Sequence, residues 1–187
     1  MLPRVRKFVL AVHLVSSLGW LGAGLAYLAL VVVVLPNQNI RTVRDAIFAM
    51  ESIVWFVILP RAIAALLTGL VIALATPWGL FRHYWVLVSL VLTTFGVLVL
   101  TEYSLVMREM GTVAAKPILT AADLAMLKSP THAYHSAGGI LLLTVVTVLN
   151  IYKPRGLTRR GRRQLQEARA ARTGAGASVV GVELDRR

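Results

Sequence analysis

The chain has 187 residues, 57% of them hydrophobic, and a mean hydropathy of +0.73. Soluble domains run at roughly 45–50% apolar even with glycine counted, so this excess excludes an ordinary water-soluble domain and calls for a bilayer. The formal net charge is +12 and there is no cysteine, which excludes disulfides, thiolate metal sites and thiol redox chemistry.

Met1 to Lys7 carries Arg4, Arg6 and Lys7 ahead of an apolar run from Phe8 to Leu35. That run is longer than the roughly 7–15 residues of a signal-peptide core, and no clear small-x-small site ends it. Crossing a bilayer takes roughly 20 apolar residues. Phe8–Leu35 therefore reads as an uncleaved first span. Pro36 to Asn39 is a loop, and Thr42-x-x-Asp45 has the form of a helix N-terminal capping pair. A second span is expected from about Ser52 to Ala75, kinked at Pro60, where a backbone hydrogen bond is lost.

Ala75 to Trp85 is the interruption between two long apolar runs. Pro77 and Gly79 stop a helix, and Arg82 and His83 put charge at the turn. Trp78, Tyr84 and Trp85 are ring types that settle at a membrane–water boundary. The stretch predicts a tight cytoplasmic hairpin, followed by a third span from about Tyr84 to Tyr103. Ser104 to Pro130 reads as a polar connection holding Arg108, Glu109, Lys116, Asp123 and Lys128. Thr120-x-x-Asp123 can cap a short helix there. Ser129-Pro130 reads as an N-cap followed by proline at the first helical position. A fourth span then runs to about Tyr152 and is ended by Pro154 and Gly156. Thr158 to Arg172 has helix-forming composition, and the remainder, with Gly174, Gly176 and Ser178, is expected to be disordered.

The predicted fold is all-α: a four-transmembrane-helix bundle over residues 1–152 with a basic cytoplasmic tail over 153–187. Four spans put both termini on one side. The N-terminus, the Arg82 turn and Lys153–Arg163 hold ten Lys/Arg (three, one and six) against five in the two opposite loops. Short-loop basic residues mark the cytoplasmic face, so both ends are expected there. From Lys153 to Arg187 ten Lys/Arg face three Asp/Glu. Arg159-Arg160-Gly161-Arg162-Arg163 lacks the interleaved aromatics of a nucleic-acid binder. The expected partner is therefore the bilayer and its anionic lipid headgroups.

Small and polar residues gather between membrane helices. His13, Ser17, Trp20, Gly24 and Tyr27 form one such stripe, beside a strip of Gly19, Ala23 and Ala26. Arg61, Ala65 and Thr68 form a second, Ser89, Thr93 and Gly96 a third, and His135, Gly138 and Gly139 a fourth. All four can face one axis as packing surfaces, and the Gly/Ala faces also suit a homo-oligomer.

Arg61 is the costliest residue, close to the midplane, where arginine costs at least about 2.5–3.5 kcal/mol on insertion scales. It can hold an anionic ligand, a haem propionate or a quinone oxygen. Alternatively it bonds carbonyls freed by the Pro60 kink or reaches toward Glu102. His13 can ligate haem iron or a metal, relay protons, or bond across helices to Ser89 or Thr93. His83, at the cytoplasmic edge of the third span, can approach it or act only as an interfacial residue. His132 and His135 are three apart and project from one side of the fourth span's first turn, with Glu102 and Asp123 available to complete a divalent or copper site. Met107, Met110 and Met126 are scattered and read as packing residues. There is no nucleophile elbow, phosphate loop, HExxH or paired-carboxylate pattern.

His13-Leu-Val-Ser-Ser-Leu-Gly-Trp20-Leu-Gly22 resembles the H-x(6)-W-x-G opening of a family of uncharacterised bacterial four-span integral membrane proteins. Thr76 to Val86 and Tyr152 to Thr158 resemble two further signatures of it, so the likeness covers most of residues 8–158. It implies a fold and a plasma-membrane location but no reaction. The first motif is also similar to CopD-type copper-resistance proteins and HemJ-type membrane protoporphyrinogen oxidases. That similarity implies a cofactor role for His13, with haem b or copper. A lysine that follows a tryptophan in a later helix of those proteins corresponds here to Ser89, which removes a residue the oxidase chemistry needs. The function expected is a non-enzymatic or accessory membrane protein. A haem- or copper-handling protein using His13, His135 or His83 with Arg61 is the alternative, and a small permeation protein past Arg61 the next.

Overall fold

The computed structural model describes residues 2–75, 79–154, 156–167 and 170. Helix α1 spans Pro3–Val34, α2 Ile40–Ile53, α3 Leu59–Ala75, α4 Tyr84–Ala114, α5 Ala121–Leu127 and α6 Thr131–Tyr152. Four helical stretches are long and apolar enough to cross a membrane: Pro3–Val34, Ile40–Ala75, Tyr84–Ala114 and Ala121–Tyr152. The chain is thus an all-α, four-span bundle of a multi-pass membrane protein. Helices α1 and α4 each pack against both α3 and α6, so consecutive spans are neighbours and α1 lies diagonal to α4. Phe8, Phe56, Leu74 and Leu98 point outward, as lipid-facing side chains do.

Local chemistry sets the helix ends. Pro3 stands in the first turn of α1, where its missing N–H costs nothing. The capping pair predicted at Thr42 and Asp45 is displaced: Asn39 is the N-cap of α2 and accepts from the amides of Arg41 and Thr42. An asparagine three residues upstream reaches the free amides first, leaving Asp45 as a surface partner of Arg41. At Pro60 the helix stays continuous. A π turn over Val54–Ile58 precedes the proline and absorbs the bond it cannot make. The Thr120–Asp123 capping box forms as the sequence suggested, and Asp123 also bonds Lys116 at 2.7 Å. Ser129 serves the start of α6 through the Thr131 amide, one residue later than its proline suggests.

The largest difference from the sequence reading lies in Ser104–Ala114, which continues α4 rather than forming a polar connection. Tyr103, Met107, Met110 and Ala114 recur at helical spacing and are buried, while Arg108 and Glu109 point out. Their partner is the amphipathic α2, which buries Val43, Ala46, Ile47 and Met50. With Val34 and Leu127 these residues make the tightest core of the molecule, and it sits at the α5 end of the bundle. At that end Arg44 donates to the carbonyls of Lys116 and Pro117, and Arg108 lies over the Trp55 ring at 5.0 Å.

At the opposite end Gly79 takes φ +61°, a turn conformation glycine adopts without strain. Thr76, Pro77 and Trp78 lie outside the described residues, as does the tail from 171 onward. Residues 159–167 form a further helix, within the stretch expected to be helical.

Candidate functional site

Three helices meet in a buried polar cluster. The Tyr103 hydroxyl on α4 lies 2.5 Å from His132 Nδ1 on α6 and 2.7 Å from the Tyr27 hydroxyl on α1. Tyr27 also donates to Met107 Sδ at 3.2 Å. His132 is 1% exposed, and its Nε2 has no hydrogen-bond partner among the described residues. Two proton orders satisfy this chain. Either His132 Nδ1 donates to Tyr103, Tyr103 to Tyr27 and Tyr27 to Met107, or Tyr27 donates to Tyr103 and Tyr103 to a bare Nδ1. The second order puts the His132 proton on Nε2, which has no hydrogen-bond partner, so the first order is the better satisfied.

His135 is placed differently. Its ring stacks on Tyr103 with centroids 4.2 Å apart and planes 14° apart. Its Nδ1 lies 3.0 Å from the Thr131 carbonyl, which only accepts, so in the neutral ring Nδ1 carries the proton and Nε2 is a bare acceptor. His135 lines a cavity of about 340 Å³. Trp20, Tyr27 and Tyr103 contribute aromatic walls, Gly24 and Gly96 pack closely against Ile140 and Leu142, and Gly138 and Gly139 border open space. Rim residues Phe95 and Val99 on α4 and Tyr134 and Gly138 on α6 are exposed, so the cavity opens sideways between those helices. Its volume lies within the roughly 300–1,000 Å³ of small-molecule pockets.

The other candidate residues lie elsewhere. His13 Nδ1 is 3.1 Å from both the Ala65 carbonyl and the Thr68 hydroxyl on α3, rather than facing Ser89 or Thr93. Ser89 instead accepts from Asn150 of α6 at 3.2 Å, a link the sequence reading missed. Arg61 donates to the Val15 carbonyl at 3.1 Å and lies against Gly19, where a Cβ would come within 2.9 Å of its Nη1. Gly19 is therefore small to admit a guanidinium, not a neighbouring backbone. Neither the Pro60 turn nor Glu102 receives that hydrogen bond. His83 caps the start of α4 at the far end of the bundle, with its backbone bridged to Leu157 and its ring tilted against Trp85.

His13 and His135 do not pair on one haem iron. His13 lies beside residues 65–69, whereas His135 lies at the level of Tyr27. The 14 helical residues from His13 to Tyr27 rise about 20 Å, too far for two axial ligands of one haem iron. The His132 and His135 rings meet Tyr103 edge-on and face-on respectively, rather than converging on one point. Among the described residues no group of three or more His, Asp or Glu is placed to hold a metal ion. Comparison with family models, curated proteins and solved structures found no match for the chain.

Proposed function

We propose that the chain is a non-enzymatic binding protein of the bacterial plasma membrane, with both termini cytoplasmic. Its ligand is a flat, apolar molecule with a hydroxyl donor, of the phenol or hydroquinone class, held in the groove between α4 and α6. The observation that carries this reading is the Gly138–Gly139 pair. Nothing lies within 4 Å of a Cβ built at either position. Glycine inside a helix costs about 1 kcal/mol relative to alanine. Membrane helices accept that cost where another backbone comes close. Here the glycines border empty space, so their smallness serves what enters it. The aromatic walls suit a flat ring, and the bare His135 Nε2 accepts a hydroxyl proton. The location rests on the H-x(6)-W-x-G resemblance, and the orientation on the basic residues at the tail end.

Trp20 lines the groove and reports directly on occupancy. Titrating the purified protein with a membrane-soluble hydroquinone is expected to quench fluorescence saturably, and Trp20→Phe is expected to lose that component. Non-saturable quenching, or equal quenching in Trp20→Phe, overturns the reading. A second copy of the chain is the competing occupant. The natural chain has no cysteine, so Gly138→Cys provides a single thiol. Rapid disulfide dimerisation there, with the groove closed to hydroquinone, would assign the face to self-association instead.

A further inference from the structure

The segment after α6 does not simply leave the bundle. It folds back and pairs with the turn between α3 and α4. The Tyr84 amide donates to the Gly156 carbonyl at 3.2 Å, and the Thr158 amide to the Arg82 carbonyl at 3.0 Å. The Thr158 hydroxyl donates to the Phe81 carbonyl at 2.5 Å and accepts from the Gly161 amide at 3.1 Å. Thr158 is thereby buried and starts the 159–167 helix directly over the turn. Gly161 is the contact point: a Cβ there would lie 2.5 Å from the Arg82 carbonyl oxygen and 3.1 Å from Arg82 Cγ. The oxygen is backbone and cannot swing aside.

This clasp fixes where the arginines stand. Gly161 is buried and Leu165 half-buried, while Arg159, Arg160, Arg162 and Arg163 are all exposed. Arg162 borders a shallow recess with Tyr84, Gly156 and Leu157. Tyr84 opens the apolar part of α4 and is half exposed, the setting of an interfacial aromatic. The arginines therefore stand beside the start of a helix long and apolar enough to cross a membrane. Charge at this end is strongly one-sided. Among the described residues Arg4, Arg6, Lys7, Arg82, Lys153, Arg159, Arg160, Arg162 and Arg163 face a single acid, Glu167. At the α5 end Arg41, Arg44, Arg108, Lys116 and Lys128 are balanced by Asp45, Glu51, Glu102, Glu109 and Asp123. A topology signal needs only charge, and a free tail would supply it. Pinning costs roughly 1–2 kcal/mol of backbone entropy per residue. It gives each arginine's backbone a fixed place, from which guanidiniums can make the two-point hydrogen bonds a phosphodiester accepts.

We infer that the clasped 156–163 segment, with Arg162 beside Tyr84 and Arg159 one helical turn before it, is a binding site for the headgroup of an anionic phospholipid. It is separate from the α4–α6 groove and stands or falls independently of what fills that groove.

The test uses the full-length protein in detergent, with native mass spectrometry reading retained lipid from mixed phosphatidylglycerol and phosphatidylcholine. The wild type is expected to retain phosphatidylglycerol preferentially. The pair Arg159→Gln and Arg162→Gln, with unchanged circular dichroism, is expected to lose roughly thirtyfold of that preference. Gly161→Leu keeps every arginine but breaks the clasp, and is expected to lose most of the preference as well. Full preference in the arginine pair overturns the site. Full preference in Gly161→Leu, with limited proteolysis showing the tail released, overturns the clasp as its basis. Displacement of the lipid by inorganic phosphate at equal concentration assigns a free-phosphate site and overturns the lipid source.

Discussion

The sharpest test of the groove is a pair of substitutions at Gly139. Alanine there meets nothing within 4 Å, so it adds no clash and removes the conformational cost of glycine. The expected gain is about 1 kcal/mol, or roughly 2–4 °C in Tm for a chain of this size. Leucine at the same position starts from the same unobstructed Cβ, and its branched end reaches into the groove. Displacing a ligand from roughly 60 Å² of apolar contact at about 25 cal/mol per Å² loses about 1.5 kcal/mol, close to tenfold in Kd. The assay is thermal unfolding by near-ultraviolet circular dichroism, paired with Trp20 quenching by hydroquinone. The signature is opposite movement: Gly139→Ala and Gly139→Leu unfold at or above the wild-type temperature, while Gly139→Leu binds about tenfold more weakly. Wild-type binding by Gly139→Leu would refute the groove as the site. Destabilisation by Gly139→Ala would refute the empty space on which the reasoning rests.

Two further outcomes follow from the buried polar contacts. Tyr103→Phe keeps the ring that His135 stacks on and removes the hydroxyl linking α1, α4 and α6. It is expected to cost about 1–3 kcal/mol in unfolding experiments while changing hydroquinone binding less than about threefold, and a larger binding loss would place the hydroxyl in the groove chemistry. Arg61→Leu removes a guanidinium whose hydrogen bond is to a carbonyl already serving the α1 ladder. Because arginine at this depth carries an insertion cost of about 2.5–3.5 kcal/mol or more, that variant is expected to unfold no lower than the wild type, whereas Gly19→Leu, which evicts the guanidinium, lowers Tm; collapse of Arg61→Leu would show that Arg61 carries more of the fold than the Val15 contact.

The spans were legible because hydropathy is a property of composition, and composition is written in the chain. Trp20, Tyr27 and Ser89 also fell on buried faces as their spacing implied. The Ser104–Ala114 extension was not legible. Arg108 and Glu109 interrupt the apolar run, and only the partner stripe on α2 makes Met107 and Met110 a buried face. The clasp was hidden for a different reason. Thr158 and Gly161 carry no local signal beyond helix onset, and their role exists only against Phe81 and Arg82, more than seventy residues away. Gly138 and Gly139 were read as packing residues because small residues on a membrane helix usually pack. That a face is left unpacked is visible only in three dimensions. The histidines' partners were hidden for a related reason: spacing gave their helical faces but not the hydroxyl and carbonyl partners that hold His132 and His13.

The tight core and the open groove belong to one design. A sealed void of 340 Å³ would cost about 8 kcal/mol at roughly 24 cal/mol per Å³, which is comparable to the whole stability of a typical domain, about 5–15 kcal/mol. A bundle free to relax would slide α6 toward α4 and close it. Two anchors oppose that movement. At the α5 end Tyr27, Tyr103 and His132 bond α1, α4 and α6 together beside the packed Met107 and Leu127. At the other end Asn150 bonds Ser89, and the 156–161 clasp ties the chain after α6 to the turn before α4. Between these anchors Gly96 of α4 packs against Leu142 of α6, while Gly138 and Gly139 border open space. Acyl chains can enter from the side and offset the void, so the empty protein is stable in a bilayer. Any ligand must then displace lipid. Apolar burial alone gives it little advantage over an acyl chain, which leaves aromatic stacking and the hydrogen bond to His135 Nε2 to decide what binds.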